Sequence, residues 1–308
     1  MANTTAALAA ASRLITAKFD LRSAAASPYY PKMAYVVRST AAEEKYAFLG
    51  TFPGMREWLG DRIFKQLLAA DYELKNKHWE SSLLIAKTDV DDARILRYDF
   101  AIDGLAQEAM YHPDELLFSI MVAGDATVGW DGQYFYDTDH SFGDSGSQSN
   151  DLTYAAASGT TPTTAEFRAS YNAAYAAMLA FKGDNGKPLF RPTQAQQVTQ
   201  PLVQVPPALY PTAYEALSVE EYDTDGNPVL VLGNPVVESI AYLTDATEWY
   251  LHNVAGALKP FIFQEREPLK RQVKGADDLE TKDLKLMTEA RYNAGYGAWW
   301  NSVLTTFT

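Results

Sequence analysis

The feature that most constrains the fold is one long helical pattern in the first half of the chain, residues 98–123. Its apolar residues recur at spacings of three and four, at Phe100, Leu105, Ala109, Leu116, Leu117, Ile120 and Met121. At 1.5 Å per residue, a helix of this length extends about 39 Å. Pro113 lies in its interior and should kink or divide the helix, because proline removes one intrahelical hydrogen bond at a cost of about 3 kcal/mol.

The composition limits how such a chain can be stabilised. The 308 residues are 47% hydrophobic, which suffices for a substantial core, and no run of eighteen apolar residues encodes a membrane span. Cysteine is absent, so disulfides and thiolate chemistry are excluded and stability must come from packing and association. Residues 1–27 are rich in Ala, Ser and Thr without a signal-peptide pattern, and we expect a mobile arm there.

The charge balance argues against tight nucleic-acid binding. Lys and Arg total 26 against 39 Asp and Glu, which gives a net charge of −13. Strong binding to a phosphate backbone needs a basic face that displaces condensed counterions. An acidic chain of this kind is therefore predicted to repel DNA.

The rest of the chain mixes helix and strand patterns. Thr163 and Glu166 form a capping-box pattern ahead of a helix at 167–181, and a second helix begins at the prolines of PPALYPTAYEAL. Strands are predicted at 79–88, 202–205, 235–243, 248–254, 260–266 and 284–292. Asp89, Asp91 and Asp92 have side chains suited to start a helix. The polar stretch 144–164 predicts a flexible connection.

One block allows two different structures. It reads TFPGMREWLGDRIFKQLLAADYELKNKHWESSLLIAKTDVDD over residues 51–92. Met55, Trp58, Leu59, Ile63 and Leu67 fall near helical spacing, so periodicity alone favours a helix interrupted at Gly60.

This block is followed in order by HPDEL, DGQYFYDTDH, LVQVPPAL, ATEWYLHN and KPFIFQER. Together these motifs resemble the major head subunits of Mu-like phages and prophages, along nearly the whole chain. The resemblance implies an α+β fold of the Hong Kong 97 type. It divides the chain into an N-terminal arm (1–27), a strand that leads into an extended loop (28–61), the extended loop (62–77), a peripheral domain (78–143) with a spine helix at 98–123, a flexible connection (144–166), an axial domain (167–245) and peripheral return strands (246–308).

The function that the resemblance implies is assembly, without catalysis, cofactor or metal. Copies of the chain would form hexamers and pentamers of an icosahedral head that encloses double-stranded DNA, first in the host cytoplasm and then in the virion. An acidic inner wall would keep the DNA from adhering. Because only about 27 residues precede the first ordered pattern, we expect a separate scaffold protein. A portal is a further expected partner, and a decoration protein is another candidate.

The resemblance also implies which residues make assembly contacts. Side chains in and before the extended loop would need a neighbouring subunit to bury them, namely Arg56, Trp58, Arg62, Ile63, Phe64, Lys65 and Leu67. Acidic partners for the basic members of this set are predicted at Asp89, Asp91 and Asp92 of the adjacent subunit.

A different class of function is suggested by DGQYFYDTDH. Asp137, Asp139 and His140 are crowded as the ligands of Zn, Mn or Fe can be, so the alternative is a soluble metal-dependent hydrolase. No HExxH, GxSxG, Walker or GxGxxG motif accompanies them, which favours a turn held by Asx hydrogen bonds. Another oligomeric virion or tail-like protein is a third alternative.

Overall fold

The computed structural model describes residues 2–46, 72–92, 94–190, 198, 200–219, 231–274 and 283–308, with side chains from Leu8 onward in the first helix. Its helices are α1 (Ala2–Ala25), α2 (Tyr30–Met33), α3 (Lys87–Asp91), α4 (Asp99–Val122), α5 (Thr164–Ala180) and α6 (Tyr210–Ser218). Its strands are β1 (Ala34–Arg38), β2 (Glu43–Lys45), β3 (Glu73–Lys75), β4 (Lys77–Ile85), β5 (Asp151–Tyr154), β6 (Leu202–Val205), β7 (Val236–Ser239), β8 (Glu248–His252), β9 (Phe261–Lys274), β10 (Leu284–Tyr296) and β11 (Ser302–Phe307).

The first sheet has four strands in the order β1-β9-β10-β4. The long strands β9 and β10 are antiparallel, with Tyr296 opposite Phe261 and Lys285 opposite Lys274. Strand β4 pairs antiparallel with β10, and β1 pairs parallel with β9. Buried and less buried residues alternate from Leu284 to Arg291 of β10, as expected where only one face of a sheet is covered.

The second sheet has five strands in the order β5-β11-β8-β6-β7. Every residue of β6 is buried, as is most of β8 and β11. Helix α5 packs on this sheet through Phe167, whose ring lies 5.3 Å from that of Trp249 and 5.6 Å from that of Phe307. Strands β2 and β3 form a separate two-stranded antiparallel ribbon.

Helix α4 is the long helix that the pattern at 98–123 predicts. It runs unbroken from Asp99 to Val122 with Pro113 buried inside it, so the expected division at the proline does not occur. Packing of Leu117, Phe118 and Met121 into the main core offsets the missing hydrogen bond. No helix in the described ranges combines the length and the apolar character that crossing a membrane requires.

The residues expected to form a mobile arm are instead helical. In α1, Leu8, Ala11, Ile15 and Phe19 are buried in a small second core with residues of α3, α4, β4 and β10. Ion pairs join Lys18 to Asp99 and Arg22 to Asp103. Composition misleads here because the stabilising contacts come from residues far away in the sequence.

Two further expectations differ from the structure. The stretch 144–164 is not a loose connection, because it contains β5, which pairs with β11, and the buried side chains of Ser145 and Asn150. The strands of 246–308 do not all return to one sheet: β9 and β10 lie with β4, whereas β8 and β11 lie with β6 and β5. Strand β9 also extends to Lys274, beyond the predicted end at 266.

Candidate assembly surface

The predicted contact residues fall into two groups. Arg56, Trp58, Arg62, Ile63, Phe64, Lys65 and Leu67 lie outside the described residues, as does most of the proposed extended loop at 62–77. Asp89, Asp91 and Asp92 lie on and after α3, at the end of the first sheet where β4 stops.

The three aspartates already have partners within the chain. Asp89 accepts a hydrogen bond of 2.8 Å from the Tyr98 hydroxyl, which raises the pKa of that phenol. Asp91 pairs with Lys87 one turn earlier, and Asp92 lies 3.2 Å from the Arg94 guanidinium. These pairs are largely exposed, where an ion pair stabilises by about 0–1 kcal/mol and can exchange partners at little cost. Contact with an adjacent subunit remains a prediction.

A polar network joins the two sheets through the segment before β1. The carboxylate of Asp114, buried in α4, accepts the backbone N–H groups of Tyr29 at 2.8 Å and Tyr30 at 2.6 Å. Burial raises the pKa of Asp114, although these two bonds oppose the shift. The Tyr29 hydroxyl donates to Glu238 of β7, which also pairs with Lys32. Helix α4 and the edge of the second sheet are therefore tied to one short segment.

A second buried network surrounds Asn150. Its side-chain amide donates to the carbonyls of Phe135 at 2.8 Å and Ser302 at 3.1 Å, while its Oδ1 accepts the Asp137 N–H at 2.9 Å. The same Oδ1 lies 3.0 Å from Nε2 of His140, so that nitrogen must be the donor. This network holds the loop after α4 against the end of β11.

His140 has no free position for a metal. Its Nδ1 lies 2.6 Å from the carboxylate of Asp131, and its ring stacks on Trp299 at 4.0 Å with the planes 5° apart. Asp137 accepts backbone N–H groups of its own turn, and Asp139 accepts the Gln133 amide at 2.7 Å. In the part of the chain that the structure describes, no three His, Asp or Glu side chains come together as a ligand set.

Several large apolar side chains are exposed on α1 and at the start of α4. Phe100 is 90% exposed at the start of α4, Leu96 is exposed before it, and Leu21 is exposed on α1. Single exposed apolar side chains are common, but several of them together on one surface mark a contact site. The motifs in the sequence do not indicate these residues, although Leu14 and Leu21 of α1 are spaced seven residues apart, as on one face of a helix.

Solved structures with the same fold indicate the class of protein to which the chain belongs. It is similar to the subunit of the bacteriophage JBD30 procapsid, with a TM-score of 0.57, 24% identity, and coverage of 98% of this chain and 75% of that one. It is also similar to the capsid of cyanophage P-SCSP1u, with a TM-score of 0.58, 11% identity, and coverage of 92% and 88%. The chain thus has the α+β fold of Hong Kong 97-type phage capsid proteins.

The family follows from the sequence. Residues 8–165 and 222–306 match the model of the Mu-like prophage major head subunit gpT, and the chain belongs to this family. The FluMu prophage major head subunit of Haemophilus influenzae is 29% identical over 280 residues, which are 90% of this chain and 65% of that protein. The major capsid protein of Escherichia phage Mu is 34% identical over 111 residues, 36% of each. This chain therefore spans 65% and 36% of the lengths of these relatives.

Proposed function

We propose that the chain is the major capsid subunit of a Mu-like phage or prophage, and that its copies assemble into the icosahedral shell around double-stranded DNA. The observation that supports this most strongly is the family match, which spans most of the chain and coincides with a capsid fold. The metal-dependent hydrolase receives no support from these comparisons, and His140 is fully engaged in hydrogen bonds and stacking.

The physical basis of assembly is association through many separate surfaces. Head-to-tail contacts that close by rotation make rings, here hexamers and pentamers, and such rings tile a closed shell. Weak contacts allow a misplaced subunit to leave before the shell closes. The net charge of −13 suits a wall that encloses DNA without sequence-specific binding.

The location and partners follow from the same proposal. The chain would be part of the virion, after assembly in the host cytoplasm. A scaffold protein, a portal and a decoration protein remain candidate partners. Arg56, Arg62 and Lys65 are the proposed cations for contacts with Asp89, Asp91 and Asp92 of a neighbouring subunit.

The test is negative-stain electron microscopy with light-scattering mass, on the chain alone and after co-expression with its neighbouring head genes. Closed shells or rings of five and six are expected, and shells only on co-expression would show that a scaffold is needed. Arg62→Glu should lower the yield of particles while the subunit stays folded by circular dichroism. A strict monomer under every condition would refute the proposed function, and an unchanged yield for Arg62→Glu would refute only the contact.

A further inference from the structure

Helix α1 has two apolar stripes, and only one of them is covered. The covered stripe consists of Leu8, Ala11, Ile15 and Phe19. The exposed stripe consists of Ala10, Leu14, Ala17, Leu21 and Ala24. Leu21 is 71% exposed and Leu14 is 39% exposed. A surface helix ordinarily presents polar side chains to water, so an outward apolar stripe indicates a surface that another element covers.

The spacing of the exposed stripe indicates which element fits it. Its members follow one another at alternating steps of four and three residues. This is the spacing of the a and d positions along which two helices of a coiled coil meet, here called the seam. Leu14 and Leu21 occupy one seam position, and alanines occupy the other. A seam that alternates large and small side chains is filled best when each leucine faces an alanine of the opposite helix.

Charges beside the stripe show that the opposite helix can be a second α1. Arg13 and Asp20 flank the seam on the same side, seven residues apart, and both are exposed. Asp20 also binds Arg271, whereas Arg13 has no ion pair with any residue that the structure describes. In an antiparallel pair, this spacing places each Arg13 beside Asp20 of the other copy. In a parallel pair, Arg13 would instead approach Lys18 of the other copy, and like charges would repel.

The flanks of the stripe carry little net charge, although the whole chain carries −13. Lys18 pairs with Asp99 and Arg22 pairs with Asp103, so the cations nearest to Leu21 are neutralised. Phe100, which lies between the two paired aspartates in the sequence, is 90% exposed. Two acidic copies can therefore approach here without the repulsion expected elsewhere.

We propose that α1 packs antiparallel on α1 of a second copy, with Leu21 against Ala10, Leu14 against Ala17 and Arg13 beside Asp20. The contact is two-fold symmetric, since each copy contributes the same surface. The proposal rests on the proposed function for the presence of many copies, and it adds one particular pair of surfaces that join them.

The absence of native cysteine allows a direct test by disulfide cross-linking. Full-length Ala10→Cys and Leu21→Cys chains with tags of different size are mixed and oxidised, since a disulfide forms only where Cα atoms approach to about 4–7 Å. The mixed product should dominate. The control mixes Leu21→Cys with Ala9→Cys, which is exposed on the same helix but lies off the stripe, and should give little product. A strong product from Leu21→Cys alone would indicate a parallel pair and overturn the proposal.

A second variant separates this proposal from the proposed function. Leu14→Glu/Leu21→Glu changes only exposed positions, so the subunit should keep its circular dichroism while association between copies weakens about 10- to 100-fold. Normal shells from this variant, together with no mixed cross-link between the Ala10→Cys and Leu21→Cys chains, would refute α1 pairing and leave the capsid function intact. A cross-linked dimer that never forms rings or shells would support α1 pairing and refute the capsid function.

Discussion

At the scale of single residues, the structure depends on a few buried polar side chains that each join distant segments. Asn150 is fully buried and connects the loop after α4 to the carbonyls of Phe135 and Ser302. Asp114 connects α4 to the segment before β1, because its carboxylate accepts the backbone N–H groups of Tyr29 and Tyr30. Such groups matter because an unpaired donor or acceptor in the interior costs about 1–3 kcal/mol.

Asn150→Ala should therefore lower the free energy of unfolding by about 3 kcal/mol or more, because it leaves several backbone and side-chain groups without partners. Urea denaturation of the unassembled subunit measures the change. Gln133→Ala is the matched control, since among the described residues its exposed amide bonds only to Asp139, and it should change stability by less than about 0.5 kcal/mol. Equal effects of the two substitutions would show that the Asn150 network is unimportant.

The buried His252 predicts a loss of stability in mild acid. Desolvation lowers its pKa from 6.5 to about 3 in the folded chain. Between these values only the unfolded state binds the proton, so stability falls as the pH falls below about 6.5. From pH 7 to pH 5 this residue should contribute a loss of about 2 kcal/mol.

Urea denaturation of the wild type and of His252→Asn at pH 7 and pH 5 measures this contribution. The decrease between the two pH values should be smaller in the variant by about 2 kcal/mol, whatever its stability at pH 7. An identical decrease in both chains would contradict neutral burial of His252.

At the scale of secondary-structure elements, the sequence predicts best those helices and strands whose own residues carry a cap or an apolar pattern. The capping box at Thr163 and Glu166 is present, and α5 begins directly after it at Thr164, three residues before the predicted start at 167. Strand β6 has the predicted bounds, because its own residues Leu202, Val203 and Val205 mark it as an apolar strand. Composition alone misses helix α1, although Leu8, Ala11, Ile15 and Phe19 recur at helical spacing, and it misses strand β5, whose stabilising contacts lie on β11.

The cap of α5 can be tested by itself. The Thr163 hydroxyl accepts the Glu166 N–H at 3.2 Å, and the Glu166 carboxylate accepts the Thr163 N–H at 2.8 Å. Thr163→Ala should lower the free energy of unfolding by about 1 kcal/mol, because one N–H of the first turn loses its partner. Thr160→Ala in the same exposed loop serves as the control. A loss no greater than the control's would show that the cap does not stabilise the helix.

At the scale of the whole molecule, the sequence motifs indicate both the family, which the family match confirms, and the fold class, which the structure confirms. The candidate site was predicted less completely. Asp89, Asp91 and Asp92 are paired within the chain, and the exposed face of α1 was not anticipated. Contacts between copies leave little trace in one sequence, because an apolar residue that awaits a neighbour has the same pattern as one in the core.

Assembly of copies of this chain into a closed shell is tested most directly by an electron cryo-microscopy reconstruction of purified particles. We expect a closed icosahedral surface of five- and six-membered rings into which the two sheets and α4 fit without rearrangement. Particles whose density cannot accommodate this fold, or a preparation that contains only monomers, would contradict the account.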